Sequence, residues 1–333
     1  MARLSKSKLF TQVEEAIRLS GWSLLYLGKK GRQPARYRIY RDGQAYLVKL
    51  YIWNITSGGK SRPVDEYRIQ ITGVRKFAVD HKARNLVLGW SADFEVFAGW
   101  DVRLHRRTLG SSPSFQINEA ALHQANLSGF APYVKATKET VIAFKPELIG
   151  TYIEFLEPLH DSGKIPAEAA VLTRVSQRPE DVDEEEIEEK VAGKRKRALV
   201  SMWRSVRSNS FSDRVLTAYS RRCAMCGVQL RLIDGAHILP VEHSGSTDQT
   251  ANGVALCALH HRAYDRGLVT FDSRLKIRVN ESEVKVLKEA DEAGGLKDFR
   301  KALRGIIHIP PDKRDRPSQK FVVKANKLRG WKS

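Results

Sequence analysis

Only three of the 333 residues are cysteine, and all three lie between positions 223 and 257. So few, so placed, exclude a disulfide-stapled scaffold and fit a reducing compartment. No apolar run is long enough to span a bilayer. The opening segment, MARLSKSKLFTQVEEAIRLSGW, carries acids and no unbroken apolar stretch. It predicts an amphipathic helix over about residues 6–20 rather than a signal peptide, and the chain is expected to be cytoplasmic, with no membrane partner. Internal repeats are lacking. Gly58-Gly59-Lys60 follows a strand pattern but lacks the rest of a phosphate-binding loop. The DFE run at 93–95 lacks the lysine two residues after the acid that a PD-(D/E)xK centre needs, so Asp65, Glu66 and Glu95 read as structural.

What is abundant is positive charge. A formal net charge of +19 favours a polyanionic partner. The length suits two domains of ordinary size, and the pattern of elements is α+β. Runs rich in β-branched and aromatic residues start at Trp22, Ala35, Ala45, Glu66, Asn85, Phe94 and Thr140, separated by Gly, Asp, Asn and Pro. These predict a first, mixed α/β domain over residues 1–165. The acidic block RPEDVDEEEIEEK at 178–190 gives way abruptly to KRKR at 194–197, and from 194 to 222 Asp213 is the only acid. Residues 166–195 read as an acidic-to-basic linker, 196–333 as a second domain with a basic C-terminal tail. The KRKR run reads as a basic face beside a DNA site. SFSDRVLTAYSRRC predicts a helix capped by Ser212. VTFDSRLKIRVN predicts a hairpin and LKDFRKALRG a short helix.

The densest chemistry lies between 223 and 267. Cys223 and Cys226 form a C-x2-C pair, and Cys257 and His260 a C-x2-H pair some thirty residues on. Four such ligands suit a closed, tetrahedral, structural zinc site. Two knuckles flanking a small element would tie its ends together, adding folding energy where there is little core. His237, Asn252 and His261 lie between and beside these ligands, and the zinc needs none of them.

This interleaving resembles the HNH, or ββα-metal, endonuclease family. DGAHILP is similar to the first strand of the family hairpin, NGVAL to its central Asn, and HHRAYDRG to its helix. The resemblance implies His237 as general base, Asn252 as the residue that fixes the hairpin or contacts the metal, and His261 as a ligand of catalytic Mg²⁺ or Mn²⁺. Asp265, four residues on along a helix, would bind the metal or hold His261. Many members carry a metal ligand where this chain has Ala236. Asp234 could compensate, but in an extended strand it points away from the His237 face, so direct ligation needs a bulge. Arg262, Arg266, Arg221 and Arg222 are candidate phosphate contacts. The resemblance covers roughly residues 210–272, and more weakly the Pro-containing tail.

The expected activity is that of a bacterial restriction-type endonuclease on double-stranded DNA, with the N-terminal domain selecting a specific or modified site. A homodimer, or two sequential nicks, would cut both strands, and a cognate DNA methyltransferase would belong to the same system. Two alternatives stay open: a homing- or repair-type nickase, and a non-catalytic zinc-stabilised DNA-binding protein, which the residue at Ala236 favours. In the N-terminal half, GKKGRQPARYRIYR, SGGKSRPVDEYRIQ and the Ser-rich segment GWDVRLHRRTLGSSPSFQ suit phosphate contacts. Trp53, Trp90 and Trp100 read as core residues that could stack on a base only if one lined a pocket.

Overall fold

The computed structural model describes residues 3–28, 31–59 and 62–331. Lys29, Lys30, Lys60 and Ser61, which belong to segments noted above, lie outside the described residues. The chain divides into two compact units, Met1–Arg207 and Ser208–Ser333.

The first unit opens with α1 (Lys6–Leu19), capped by the Ser5 hydroxyl, which accepts from the Lys8 amide. Leu9, Phe10, Val13, Ala16 and Ile17 recur at helical spacing and are buried. Nine strands follow in one sheet: β1 (Ser23–Tyr26), β2 (Ala35–Arg41), β3 (Gln44–Ser57), β4 (Glu66–Gln70), β5 (Arg84–Ser91), β6 (Val96–Trp100), β7 (Ser114–Asn118), β8 (Phe130–Val134) and β9 (Thr140–Phe144). Their order is β1-β2-β3-β5-β6-β9-β8, with β4 joining β3 to β7. Among the described residues only β3 and β5 pair in parallel. β3 is long enough for two ladders: residues 48–54 pair with β5, and 55–57 turn to β4.

Alternation at period two gives the sheet two buried faces. Leu50, Ile52, Leu86, Leu88, Ile142 and Phe144 enter one core with α1. Tyr51, Trp53, Val87, Trp100, Val141 and Ala143 enter the other, under α2 (Glu119–Ser128). Trp53, Trp90 and Trp100 are 5%, 6% and 0% exposed, so all three are core.

The segment expected to be a linker is folded. After α3 (Ile149–Glu154) and α4 (Leu156–Ser162), it forms α5 (Pro166–Gln177) and α6 (Glu184–Lys190). Val171, Leu172, Val175, Ile187 and Val191 sit in the first core. The acidic run is the outer face of α6, where Glu186 pairs with Arg174 and Lys190, and Glu184 takes both oxygens to Arg204. The unit boundary falls at 207/208, inside α7 (Gly193–Ala218), instead of at 195. The KRKR run thus begins a helix of the first unit, where Arg195 is bonded to buried Glu168. Ser212 is interior to α7, not its cap.

In the second unit β10 (Ile233–His237) pairs antiparallel with β11 (Gly253–Cys257), and α8 (Ala258–Asp265) follows directly. β12 (Val269–Phe271) and β13 (Ile277–Val279) form the expected hairpin. α9 (Glu281–Glu289) was not foreseen, and α10 (Leu296–Ala302) was. The basic tail is not free: α11 (Gln319–Leu328) buries Phe321, Val322 and Ala325 in the core with Phe211, Val215, Tyr219, Val254, Leu256 and Phe271. Asn326 fastens it, accepting from Thr270 Oγ1 at 2.7 Å and donating to Phe271 O at 2.9 Å. No helix among the described residues is long and apolar enough to cross a membrane.

Candidate active site and metal centre

The two knuckles meet. The ligand atoms of Cys223, Cys226, Cys257 and His260 all lie within 4.8 Å of one another. Cys226 Sγ and Cys257 Sγ are 3.9 Å apart, and His260 Nδ1 lies 3.6 Å from Cys223 Sγ and 3.1 Å from Cys257 Sγ. A tetrahedral zinc with S ligands at about 2.3 Å and N at about 2.0 Å puts them about 3.5–3.8 Å apart. The sulfurs are therefore at the spacing of co-ligands and well beyond a disulfide. Protonation argues the same way. Burial opposes the Cys223 thiolate, but His260 and nearby backbone groups outweigh it and bring the thiol to about 6. Burial pushes Cys226 up to about 12 and Cys257 upward too. A divalent cation is what lets three crowded thiols ionise together. The donor set fits structural zinc.

The site is built on the hairpin. Five consecutive residue pairs, Ile233↔Cys257 to His237↔Gly253, run without a bulge, so successive side chains of β10 alternate faces. Gly235 and His237 face α7. A Cβ on Gly235 would stand 2.8 Å from Ser212 Cα, so the strand and helix meet where only glycine fits, and the Ser212 hydroxyl accepts from the Gly235 amide. The His237 ring stacks on Phe211, centroids 3.7 Å apart. Its Nε2 lies 3.0 Å from Asp248 Oδ1. A carboxylate at Nε2 requires the proton there, which leaves the Nδ1 lone pair able to accept one.

Asn252 is fully buried. Its Oδ1 accepts from the Leu239 amide at 2.9 Å, and its Nδ2 donates to Thr247 O, Ser246 Oγ and Leu239 O. Its amide is thus committed to the loop between β10 and β11, the loop that carries Asp248. Of the two roles the resemblance left open, fixing the hairpin is the one this geometry supports.

Asp234 projects from the other face of β10, toward α8, where its Oδ2 lies 3.2 Å from His261 Nδ1. Asp265 Oδ2 is 3.6 Å from His261 Nε2. The hydrogen bond that the Asp234 carboxylate accepts raises the His261 pKa, and Asp265 adds to it against partial burial. The three side chains are brought together, but the carboxylates flank the two ring nitrogens instead of converging on one point. His237 and this acidic group occupy opposite faces of the strand. Ala236 is buried in the core and offers no ligand.

Arg221, Arg222, Arg262 and Arg266 are all exposed. Arg262 and Arg266 line a pocket of about 590 Å³ with Leu259, Leu287 and Phe299, on a side of α8 that His261 and Asp265 do not share. Asp248, Phe211 and Arg329 were missed. Arg329 Nη1 donates to Ile238 O at 2.9 Å and its guanidinium covers the Tyr264 ring, fixing the end of β10 to α8. Tertiary contacts of this kind leave no local sequence pattern.

Residues 223–272 match the HNH endonuclease family model. The second unit carries an HNH endonuclease domain. Its ββα core is β10, β11 and α8, with the knuckle ligands bracketing the hairpin. Residues 47–153 match a second family model, methylase-associated X1, which covers most of the first unit's sheet. No curated protein matches the chain. Among solved structures, a modification-dependent TagI restriction endonuclease is similar at 13% identity and a TM-score of 0.31, over 83% of this chain and 80% of that one.

Proposed function

We propose that this protein is a restriction-type endonuclease that hydrolyses double-stranded DNA with one catalytic Mg²⁺ or Mn²⁺, the first unit selecting a specific or modified site. The observation that carries the reading is the His237–Asp248 pair at the end of the HNH hairpin. Asp248 holds the imidazole by Nε2, and Nδ1 takes the proton from the attacking water. Asn252 holds the loop that positions Asp248. His261, with Asp234 or Asp265, would hold the divalent ion, which when bound stabilises charge on the scissile phosphate and leaving oxygen. One such site cuts one strand, so a double-strand break calls for a dimer or two nicks. The methylase-associated match supports a place in a system with a DNA methyltransferase.

The test is cleavage of matched phage DNAs with Mg²⁺ or Mn²⁺, one carrying plain bases and the others methylated or hydroxymethylated. Discrete fragments from unmodified DNA, blocked by modification, are expected of an enzyme protected by a methyltransferase. Cutting of modified DNA alone makes the first unit a modified-base reader. No cutting of any substrate would favour a zinc-stabilised DNA-binding protein without activity, the reading that Ala236 supports.

A further inference from the structure

In the first unit, two loops carry a concentrated and uncompensated positive charge. The loop at 72–83, between β4 and β5, holds Arg75, Lys76, His81 and Lys82, and the loop at 104–113, before β7, holds Arg106 and Arg107. Together they contain five lysines and arginines against a single acid, Asp80. That acid is turned inward: its Oδ1 accepts from the Lys82 amide, and its own amide donates to Asn85. All six basic side chains are exposed.

The loops are joined and anchored. The Leu109 amide donates to Arg75 O at 2.8 Å, and the Ile71 amide to Pro113 O at 2.9 Å. At the stem of the second loop every acid is already matched. Arg103 bonds Asp101 and Asp161 at 2.8 Å each, and Glu139 is held by His105 and Lys135 at 2.7 Å each. His105 also stacks on Phe115. The next two residues along the chain, Arg106 and Arg107, form no ion pair among the described residues. Lys76, His81 and Arg106 line one open cleft of about 450 Å³ together with Phe77, Ala78 and Val79. Phe77 is held edge-on by Tyr51 and Trp53, which ties this part of the loop to the core. Cations from both loops along one concavity, with the hydroxyls of Thr72, Thr108, Ser111 and Ser112 on the same two loops, suit a polyphosphate backbone.

We propose that the loops at 72–83 and 104–113 are the phosphate-gripping surface by which the first unit holds duplex DNA. This rests on the reading that the first unit engages DNA and names where it does so. Arg36 and Arg38 on β2 make a rival basic surface, but a strand face offers no walled cleft.

The test measures binding of the full chain to a labelled DNA duplex across a series of salt concentrations, without divalent cation. One variant carries Lys76→Gln, Lys82→Gln, Arg106→Gln and Arg107→Gln, and a second carries Arg36→Gln and Arg38→Gln on β2. A third carries Arg221→Gln, Arg222→Gln, Arg262→Gln and Arg266→Gln. The loop variant is expected to lower the slope of log affinity against log salt by roughly 3–4, at about 0.9 per phosphate contact. The β2 variant should change it by less than about 1. Restoring charge as Arg106→Lys and Arg107→Lys should keep most of the wild-type slope. Loss in the β2 variant instead of the loop variant overturns this proposal and leaves the first unit as a DNA binder. Loss only in the third variant, or no DNA binding at all, overturns both. A loop variant that binds DNA normally but no longer binds anionic phosphatidylglycerol vesicles assigns the surface to lipid and also overturns the proposal.

Discussion

Asp248 Oδ1 lies 3.0 Å from His237 Nε2, and Asn252, buried four positions further along, bonds the carbonyl of the adjacent Thr247. The pair joins a strand residue to a loop residue, so on the proposed reading the base and the group that orients it are separated in sequence but not in space. His237→Ala should abolish cleavage, a loss of at least about 10²–10⁴-fold, while DNA affinity and zinc content stay unchanged. Asp248→Asn should lower kcat by about 10–100-fold with little change in KM. Retained cleavage in the His237 variant would remove this residue from the mechanism.

Asn252→Ala should behave differently from either. It strips partners from the Leu239 amide and the Thr247 carbonyl inside the protein, at about 1–3 kcal/mol for each buried group left unsatisfied. Thermal unfolding should show the second unit destabilised, and single-turnover cleavage should slow because Asp248 loses its mooring. An unchanged melting profile with lost activity would point instead to direct contact with the reacting centre.

Zinc is expected at one ion per chain, measurable by inductively coupled plasma mass spectrometry. Cys223→Ala or a strong chelator should remove it and unfold the second unit, since the four ligands tie both ends of the hairpin. The first unit, with its own two cores, should keep its unfolding transition. A second unit that melts normally without metal would make the cluster dispensable.

His261→Ala, and Asp234→Asn combined with Asp265→Asn, should raise the Mg²⁺ concentration needed for half-maximal cleavage by about 10-fold or more while the zinc stays bound. Titrating Mg²⁺ and Mn²⁺ against initial rate measures this. An unaltered metal requirement in both variants would place the catalytic ion elsewhere.

In the first unit, pH should act through Asp101 and Glu139. Burial opposes ionisation of both, yet Arg103 and His160 hold Asp101, and His105 and Lys135 hold Glu139, below their ordinary values of 3.8 and 4.5. With a folded-state pKa lowered, each carboxylate contributes stability that is present above its unfolded pKa and lost as pH falls through the folded one. The first unit should therefore lose stability in acid below about pH 4.5. Thermal melts across pH 3 to 7 should show a shallower acid limb for Glu139→Gln than for the parent chain; equal limbs would assign the acid lability to other carboxylates.

The four candidate metal ligands were legible because thiols and an imidazole paired with two residues between them carry their chemistry in local spacing. Most strands of the first unit followed from alternation and turn residues, whereas the β10–β11 hairpin and α8 followed from the resemblance to the HNH family. Asp248 was not legible, because nothing in TDQTANG marks an acid that reaches back across a loop to a strand. α11 was hidden for another reason: Phe321, Val322 and Ala325 are set among lysines, and composition alone reads as a solvated tail. The acidic stretch around Ile187 misled similarly, since a single buried side chain docks a short helix that five glutamates otherwise make look free. Ser212 read as a helix start because the basic stretch before it masks the apolar stripe of Ala198, Leu199, Met202 and Val206.

The docking of α11 also has a temporal side. The helix that fastens β12, and the Arg329 that secures the end of β10, are made long after the hairpin and its zinc ligands have left the ribosome. During synthesis the cutting centre exists as residues before it exists as a rigid geometry. On the proposed reading, the hairpin of a nascent chain lacks these fastenings until residues 319–329 have emerged, so competence to cut would come last in synthesis.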